Sequence, residues 1–383
     1  MDWNFLIRNK ESLHITTDSR KVTPGCVFVA LKGEHFDGNA FVDQAREAGA
    51  EYVICGENAL AELQDLARAW RRELGLPILG ITGTNGKTTT KELCAAVLKT
   101  RYNLLYTQGN LNNQLGVPLT LLSITRAHEM AIVEMGASHP GDIKELVEIA
   151  EPDCGLITNV GKAHLQGFGS FEGVMRTKAE LYDYLREHGG YCFRNTDNPY
   201  LAQMAADLKT VPYTTGVMPE GTHLVGGYNA ENVSAAICVG KHFGISEEDA
   251  LAAIRAYVPS NNRSQLMQTE HNTVVVDAYN ANPTSMQAAI NAFKGNCYVL
   301  GAMRELGEYT HLEHQNIVNM LLERKADKVL LVGEEYKQTT APYPVFDDVE
   351  ALCEYLQAEP LRGYHILLKG SRSNQLEKVI PLL

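Results

Sequence analysis

Alternating strand and helix patterns predict an α/β protein divided into three units. Three observations carry that expectation. The chain has 383 residues, more than one ordinary domain holds, and 45% of them are hydrophobic, enough for several cores. Short apolar runs alternate with helically spaced apolar residues along most of the length. A glycine-rich loop at residues 80–90 joins one such run to a helical pattern, the strand–turn–helix arrangement of a mostly parallel sheet.

The first unit is expected over residues 1–76, as a small α/β domain. Val27, Phe28, Val29, Ala30 and Leu31 read as a strand after the turn at Pro24 and Gly25. Phe41 to Ala48 read as a helix, and Tyr52 to Cys55 as a second strand. Leu60, Leu63, Leu66, Ala67, Trp70 and Leu74 follow helical spacing into a boundary at Gly75, Leu76 and Pro77. The second unit, residues 77–258, has strand patterns at 77–79, 130–133, 155–158 and 191–194, with helices between them. Residues 211–227, rich in Pro, Gly and Thr, read as a loop, and 230–243 as a helix. The third unit, residues 259–383, has strand patterns at 273–276, 297–300, 328–332 and 365–368. Helices starting near Pro283, His311 and Val349 separate them, and the unit is Rossmann-like.

The loop Gly80, Ile81, Thr82, Gly83, Thr84, Asn85, Gly86, Lys87, Thr88, Thr89 is a phosphate-binding pattern. Its glycines let backbone N–H groups approach phosphate oxygens, and the helix behind adds positive potential. Lys87 is placed to reach the outer phosphates, and the Thr88 hydroxyl to ligate Mg²⁺. The strict pattern has glycine where this chain has Ile81, so the spacing is a variant.

Lys plus Arg number 34 against 46 Asp plus Glu, a net charge of −12, so nonspecific nucleic-acid or acidic-membrane binding is not expected. A polyphosphate must then be held by a local constellation. The eight cysteines are scattered without a C-x-x-C pair and read as reduced thiols of a cytoplasmic protein. The N-terminal residues lack a signal-peptide core, and no apolar run reaches membrane-spanning length, so no membrane insertion is expected.

Several polar residues sit where an α/β sheet places ligands, at the carboxyl ends of strands. Glu134 ends the run Ala131, Ile132, Val133 and is placed to hold Mg²⁺. His164 follows the next strand pattern and is expected on the same edge. Lys178 lies on a helix, where spacing alone reads it as a surface lysine. Asn229 and Asn232 flank a helix start and read as caps, with contact to a base as the other option. Asp277 opens the cluster Asp277, Ala278, Tyr279, Asn280, Ala281, Asn282, Pro283; Lys369, Gly370, Ser371 and Arg372 follow another strand in the same way. Arg263, after Ser260, Asn261 and Asn262, lies near a unit junction where a guanidinium can clamp phosphate.

Together these residues resemble the Mur ligase family of ATP-dependent amide-forming enzymes, over nearly the whole chain. Asp18, Ser19, Arg20 and the stretch 28–33 are similar to its uridine-binding domain. Residues 83–89 match its phosphate loop; Asn110, Leu111, Asn112, Asn113, Gln114 and the stretches 134–137, 163–165 and 167–170 match segments after it. The Asp277–Pro283 cluster resembles the type that adds D-alanyl-D-alanine to UDP-N-acetylmuramoyl-tripeptide.

The resemblance implies ATP and Mg²⁺ as cofactors and a cytoplasmic ligase of peptidoglycan precursor synthesis. It implies carbamylation of Lys178, metal service by Thr88, Glu134, His164 and Lys178, and ATP contacts at Gly83 to Thr89, Asn229, Asn232, Arg263 and Asp277. Substrate contacts are implied at Ser19, Arg20, Asn112, Asn113, Tyr279, Asn280, Lys369 and Ser371. A monomer is expected, with a third domain that closes over the cleft to shield an acyl phosphate from water.

Three departures stand out. Gly301, Ala302, Met303 replaces the usual Gly-Asp-Met, removing a carboxylate from a strand end expected to face the cleft; the segment 197–226 is short; and Tyr228 stands where many relatives have His. They motivate an alternative, a UDP-sugar- or ATP-binding protein with impaired or lost catalysis. Another Mur-type amino acid ligase is a further alternative.

Overall fold

The computed structural model describes residues 3–259 and 263–383, so Ser260, Asn261 and Asn262 lie outside the described residues. Three sheets organise the chain. The first is small and parallel, in the order β1 (Ile15–Thr16), β2 (Val27–Val29), β3 (Tyr52–Ile54). The helix Ala59–Leu74 turns its apolar face inward and ends at Gly75 in the left-handed conformation. Buried Trp70 donates its indole N–H to the Ile124 carbonyl at 2.9 Å, tying this helix to the next unit.

The second sheet has six parallel strands: β4 (Ile78–Thr82), β5 (Leu104–Tyr106), β6 (Met130–Glu134), β7 (Cys154–Ile157), β8 (Tyr191–Asn195) and β9 (Thr210–Tyr213). Their spatial order is β5-β6-β4-β7-β8-β9, so the chain leaves central β4 first to one side and then to the other. Such a reversal opens a crevice at the carboxyl ends of the strands. β4 and β6 are buried throughout, as expected of strands covered on both faces. The helices Asp142–Ala150 and Phe171–Glu187 pack on one face with the first unit. The helices Lys87–Leu98, Asn229–His242 and Glu247–Ala256 cover the other. β9 corrects the loop expected from residue 211: Thr210 to Tyr213 pair in parallel with β8 at the sheet edge. An edge strand tolerates Pro212 because one side of its backbone needs no ladder partner.

The third sheet follows the order β10 (Gln265–Gln268), β11 (Thr273–Asp277), β15 (His365–Lys369), β12 (Cys297–Gly301), β13 (Lys328–Val332), β14 (Val345–Phe346). Only β10 runs antiparallel to its neighbour. The helix Pro283–Ala292 starts with a full capping box: the Asn282 side chain accepts from the Ser285 N–H, and the Ser285 hydroxyl oxygen accepts from the Asn282 N–H. Within the third sheet, parallel pairing sets Asp277 directly beside Lys369. Among the described residues no helix is long and apolar enough to cross a membrane.

Candidate active site

The carboxyl ends of β4, β6 and β7 meet those of β11 and β15 around one cleft of about 680 Å³. Its floor is the phosphate loop. Gly83 has φ +139°, and a Cβ there would come within 2.0 Å of the Thr158 hydroxyl oxygen, so only glycine lets the loop lie against β7. Gly83→Ala is therefore expected to destabilise the fold by roughly 1–3 kcal/mol. A lowered urea midpoint with unchanged slope would show it; an unchanged midpoint would contradict the close approach. The loop is held from beside: Asn159 accepts from the Asn85 N–H at 3.0 Å and donates to the Asn85 carbonyl at 3.1 Å.

Lys87 opens the helix behind the loop and curls back, donating to the Gly83 and Thr84 carbonyls at 2.8 and 3.1 Å. Enclosure pulls its pKa down to about 8, Arg263 adding to the effect and Glu134 opposing it. Thr88 donates its hydroxyl to Glu134 Oε1 at 3.2 Å, and Asn112 donates to the same oxygen at 2.9 Å. The other oxygen, Oε2, is buried with no hydrogen-bond partner among the described residues. Glu134 itself is 1% exposed.

A buried carboxylate oxygen without a hydrogen bond beside a phosphate loop and a threonine hydroxyl suits a hard cation such as Mg²⁺. That ion takes one or two protein carboxylates and completes its shell with phosphate and water. Among the described residues no group of three or more His, Cys, Asp or Glu could hold a metal.

Lys91 was not singled out in the sequence. It is fully buried, donates to the Thr107 carbonyl at 2.7 Å, pairs with Glu92 at 3.0 Å and stands 3.8 Å from Glu134 Oε2. Thr107 in turn accepts from the Glu134 N–H at 3.0 Å. The available signal was position: Lys91 lies one helical turn after Lys87, on the same face.

The surface reading of Lys178 is corrected. Its helix turns this position inward, and the residue is 2% exposed, with the ammonium 5.5 Å from the centre of the Phe168 ring. Burial, then the charge of Lys87, depresses its pKa well below the ordinary lysine value.

His164 lines the cleft in a left-handed backbone conformation, and its Nδ1 meets Glu305 of the third unit. Burial lowers its pKa, with Glu305 opposing that shift.

The capping reading of Asn229 and Asn232 is also corrected. Both lie inside the helix Asn229–His242, whose first turn has no side-chain cap. Asn229 donates to the Val225 carbonyl at 2.7 Å, Asn232 donates to Asn229 Oδ1 at 2.8 Å, and Thr90 donates to Asn232 Oδ1 at 2.9 Å. The pair thus fixes this helix to the phosphate-loop helix while both residues line the cleft.

The third unit supplies the opposite wall. Lys369, buried at the end of β15, donates to Asp277 at 2.6 Å and to the Asn280 carbonyl at 3.0 Å. Tyr279 lines the cleft with the Arg263 guanidinium 3.8 Å from its ring centre. Tyr228 bonds Ser264 at 2.8 Å through its hydroxyl.

The two units touch directly. Asn282 donates to the Asn85 side chain at 2.8 Å, Thr284 accepts from the Lys162 N–H at 3.0 Å, and Lys162 pairs with buried Glu313 at 2.8 Å.

Not every expected residue reaches this cleft. Ser19 and Arg20 sit on a short 3-10 turn of the first unit, where exposed Arg20 is bonded to Asp18. Asn113 lines the cleft, and its side chain also accepts from the Gly116 N–H at 2.9 Å. Ser371 is buried and is not among the lining residues, with its hydroxyl unpartnered among the described residues. Ala302 does not face the cleft as expected. It is buried at the end of β12 so close to Gly333 that a Cβ there would lie 2.6 Å from its own.

Comparison with known proteins agrees with this architecture. Residues 13–97 match the family described as Mur ligase family, catalytic domain; 81–221 match the Mur ligase middle domain; and 262–372 match the Mur ligase, glutamate ligase domain. The UDP-N-acetylmuramoyl-tripeptide–D-alanyl-D-alanine ligase of Bacillus subtilis is 34% identical, covering 96% of this chain and 92% of the relative. The enzyme of the same name from Escherichia coli is 32% identical, with 96% and 93% covered. Among solved structures, MurF ligase from Thermotoga maritima in complex with ADP superposes with a TM-score of 0.87 at 28% identity, with 98% of each chain covered. MurF from Acinetobacter baumannii gives 0.84 at 29% identity, with 96% of this chain and 92% of that chain covered. With relatives above 30% identity matched over nearly their full length, the chain belongs to the Mur ligase family.

Proposed function

We infer that this protein is the ATP-dependent ligase that joins D-alanyl-D-alanine to UDP-N-acetylmuramoyl-tripeptide in peptidoglycan precursor synthesis. The observation that carries the inference is the full-length match to ligases of that name, on a chain that keeps a phosphate loop and a buried carboxylate in one cleft.

The tripeptide's terminal carboxylate attacks the γ-phosphorus of ATP, forming an acyl phosphate and releasing ADP. The dipeptide amine then attacks the carbonyl carbon. Phosphate leaves with the C–O electron pair, and the amine gives up a proton. Lys87 turns from the loop carbonyls onto the phosphates and stabilises charge developing on the transferred group. Thr88 and Glu134 would hold Mg²⁺, with Asn112 fixing the carboxylate. Bound Mg²⁺ supplies charge neutralisation to the phosphate oxygens. Arg263, Asn229 and Asn232 border the nucleotide, while Tyr279, Asn280 and Lys369 border the acceptor. The contacts of Asn85 with Asn282 and of Lys162 with Glu313 support a third domain that closes on the phosphate loop and excludes water.

Lys178 suits carbamylation because CO₂ reacts with a neutral amine, and burial beside Lys87 favours that form. The amine adds to CO₂ and releases a proton, which converts a buried neutral amine into an anionic carbamate. Depleting bicarbonate is expected to slow the wild type and restoring it to recover the rate. Lys178→Ala stays slow in both, by about 10²-fold. A ¹³C-bicarbonate NMR signal lost in the variant checks the modification directly; a rate indifferent to bicarbonate would remove it.

We place the units at residues 1–76, 77–258 and 259–383, a division supported by the three sheets. The eight cysteines, all unbonded, and the nucleotide substrates support a cytoplasmic location.

Phosphate release with Mg²⁺-ATP, UDP-N-acetylmuramoyl-tripeptide and D-alanyl-D-alanine tests the function. Release that requires both substrates is expected. Binding of the UDP-substrate without any release would instead favour the non-catalytic reading raised by Ala302.

A further inference from the structure

The cations around the third unit's end of the cleft differ in what they are committed to. Lys369 is neutralised by Asp277 at 2.6 Å and also serves the Asn280 carbonyl. Arg304, nearby after β12, is paired with Glu335 and donates to the Ser373 hydroxyl at 3.3 Å. On the central side, Lys162 is paired with Glu313 at 2.8 Å. Two guanidiniums have no carboxylate partner among the described residues, and both lie over the ring of Tyr279. Arg263 is 3.8 Å from the ring centre and Arg372 is 5.2 Å. They differ in setting. Arg263 lines the cleft, its charge is felt at Lys87, and its Nε is buried without a hydrogen-bond partner among the described residues. Arg372 is exposed, three residues after Lys369, on the turn that follows β15.

Stacking on an aromatic ring leaves the edge of a guanidinium free, and that edge presents paired N–H groups matched to a carboxylate. An unpaired arginine stacked on a cleft-lining tyrosine is thus an oriented anion receptor. The proposed reaction, on which this step rests, brings three anionic groups into the cleft: the ATP phosphates, the tripeptide carboxylate that is consumed, and the carboxylate at the far end of the incoming dipeptide. The phosphates have Lys87, the cation site at Glu134 and Arg263 on their side. The dipeptide carboxylate is not consumed and needs a cation of its own on the acceptor wall, and the others there are already paired.

We propose that Arg372, oriented by Tyr279, binds the terminal carboxylate of the acceptor dipeptide and so selects an acceptor with a free carboxylate. The residue is then a specificity determinant, and its loss weakens the acceptor more than it weakens either nucleotide substrate.

The test is a steady-state comparison of wild type, Arg372→Ala and Arg372→Lys, with D-alanyl-D-alanine and with its C-terminal amide as acceptors. For Arg372→Ala the KM for the dipeptide is expected to rise on the order of 10²-fold, with KM for ATP and for the UDP-substrate nearly unchanged. Arg372→Lys should fall between, because it keeps the charge without the fork. Wild type should discriminate strongly against the amide, and Arg372→Ala should lose most of that discrimination. An unchanged dipeptide KM, a rise confined to the UDP-substrate, or equal discrimination in wild type and Arg372→Ala would each overturn the assignment. So would a wild type that accepts the amide as readily as the acid, which needs no variant to fold. If wild type releases no phosphate with all three substrates, the failure lies with the proposed reaction and not with Arg372.

Discussion

Lys87→Met is expected to lower kcat for phosphate release by about 10²–10³-fold, the loss of roughly 3–4 kcal/mol seen when a single preorganised electrostatic donor is removed. Methionine keeps the length and apolar stem of the side chain but offers phosphate no charge. The effect should fall on kcat and kcat/KM together, because the ammonium matters most as charge develops on the transferred phosphoryl group. Stability should not fall with activity. In the ligand-free loop enclosure disfavours the ammonium and lowers its pKa to about 8, a cost that offsets the two hydrogen bonds to the Gly83 and Thr84 carbonyls that methionine gives up. A thermal midpoint at or above that of the wild type, with activity lost, would separate catalysis from folding. Activity within tenfold of the wild type would show that the loop does not hold the transferring phosphate. The same pKa sets a pH dependence: wild-type affinity for ATP should weaken as pH rises through about 8, because the neutral amine attracts no phosphate.

Glu134→Gln should have an effect of similar size with a different signature. Glutamine keeps an oxygen to accept from Thr88 and Asn112, so the local network survives. The place of Oε2, which has no hydrogen-bond partner among the described residues, is then taken by an NH₂ donor, and the cation site loses its charge. The apparent Mg²⁺ requirement should rise by an order of magnitude or more, with kcat/KM falling on the order of 10³-fold. This variant should also lose stability. Lys91, fully buried 3.8 Å from that oxygen, would keep only Glu92 as counter-charge, a cost of about 1–3 kcal/mol. Titrating Mg²⁺ against binding of a fluorescent ATP analogue, alongside urea unfolding, reads both. An unchanged Mg²⁺ dependence would remove Glu134 from the metal site.

The two residues differ in how they could be found. Lys87 sits in a motif whose chemistry is local: glycines, a lysine and a threonine within a few residues make a phosphate loop wherever they follow a strand. Glu134 needed one more step, the rule that strand carboxyl ends gather ligands. Lys91, which stands behind it, carries no such signal, because a lysine in a helix is normally solvated. Lys178 was hidden for the same reason. Its helix follows an apolar stripe, but which flanking positions are enclosed depends on how Phe168 and the loop after β7 pack over it. Asn229 and Asn232 looked like caps because asparagine near a helix start usually is one. Their actual partners, Val225 and Thr90, include a residue far away in the chain.

By itself the sequence determined the α/β class, the phosphate loop, most strands and long helices, and the polar clusters at the ends of β6, β11 and β15. Those features follow from spacing within a few residues, where periodicity and backbone sterics act. Tertiary structure alone decided which charges are paired and which are left open. It buried Lys91 and Lys178, committed Lys369 to Asp277, turned Ala302 away from the cleft and left Arg372 over Tyr279 with no carboxylate partner among the described residues. Charge interactions are set by distance and desolvation, and neither is defined until sheets remote in sequence have closed around the same cleft.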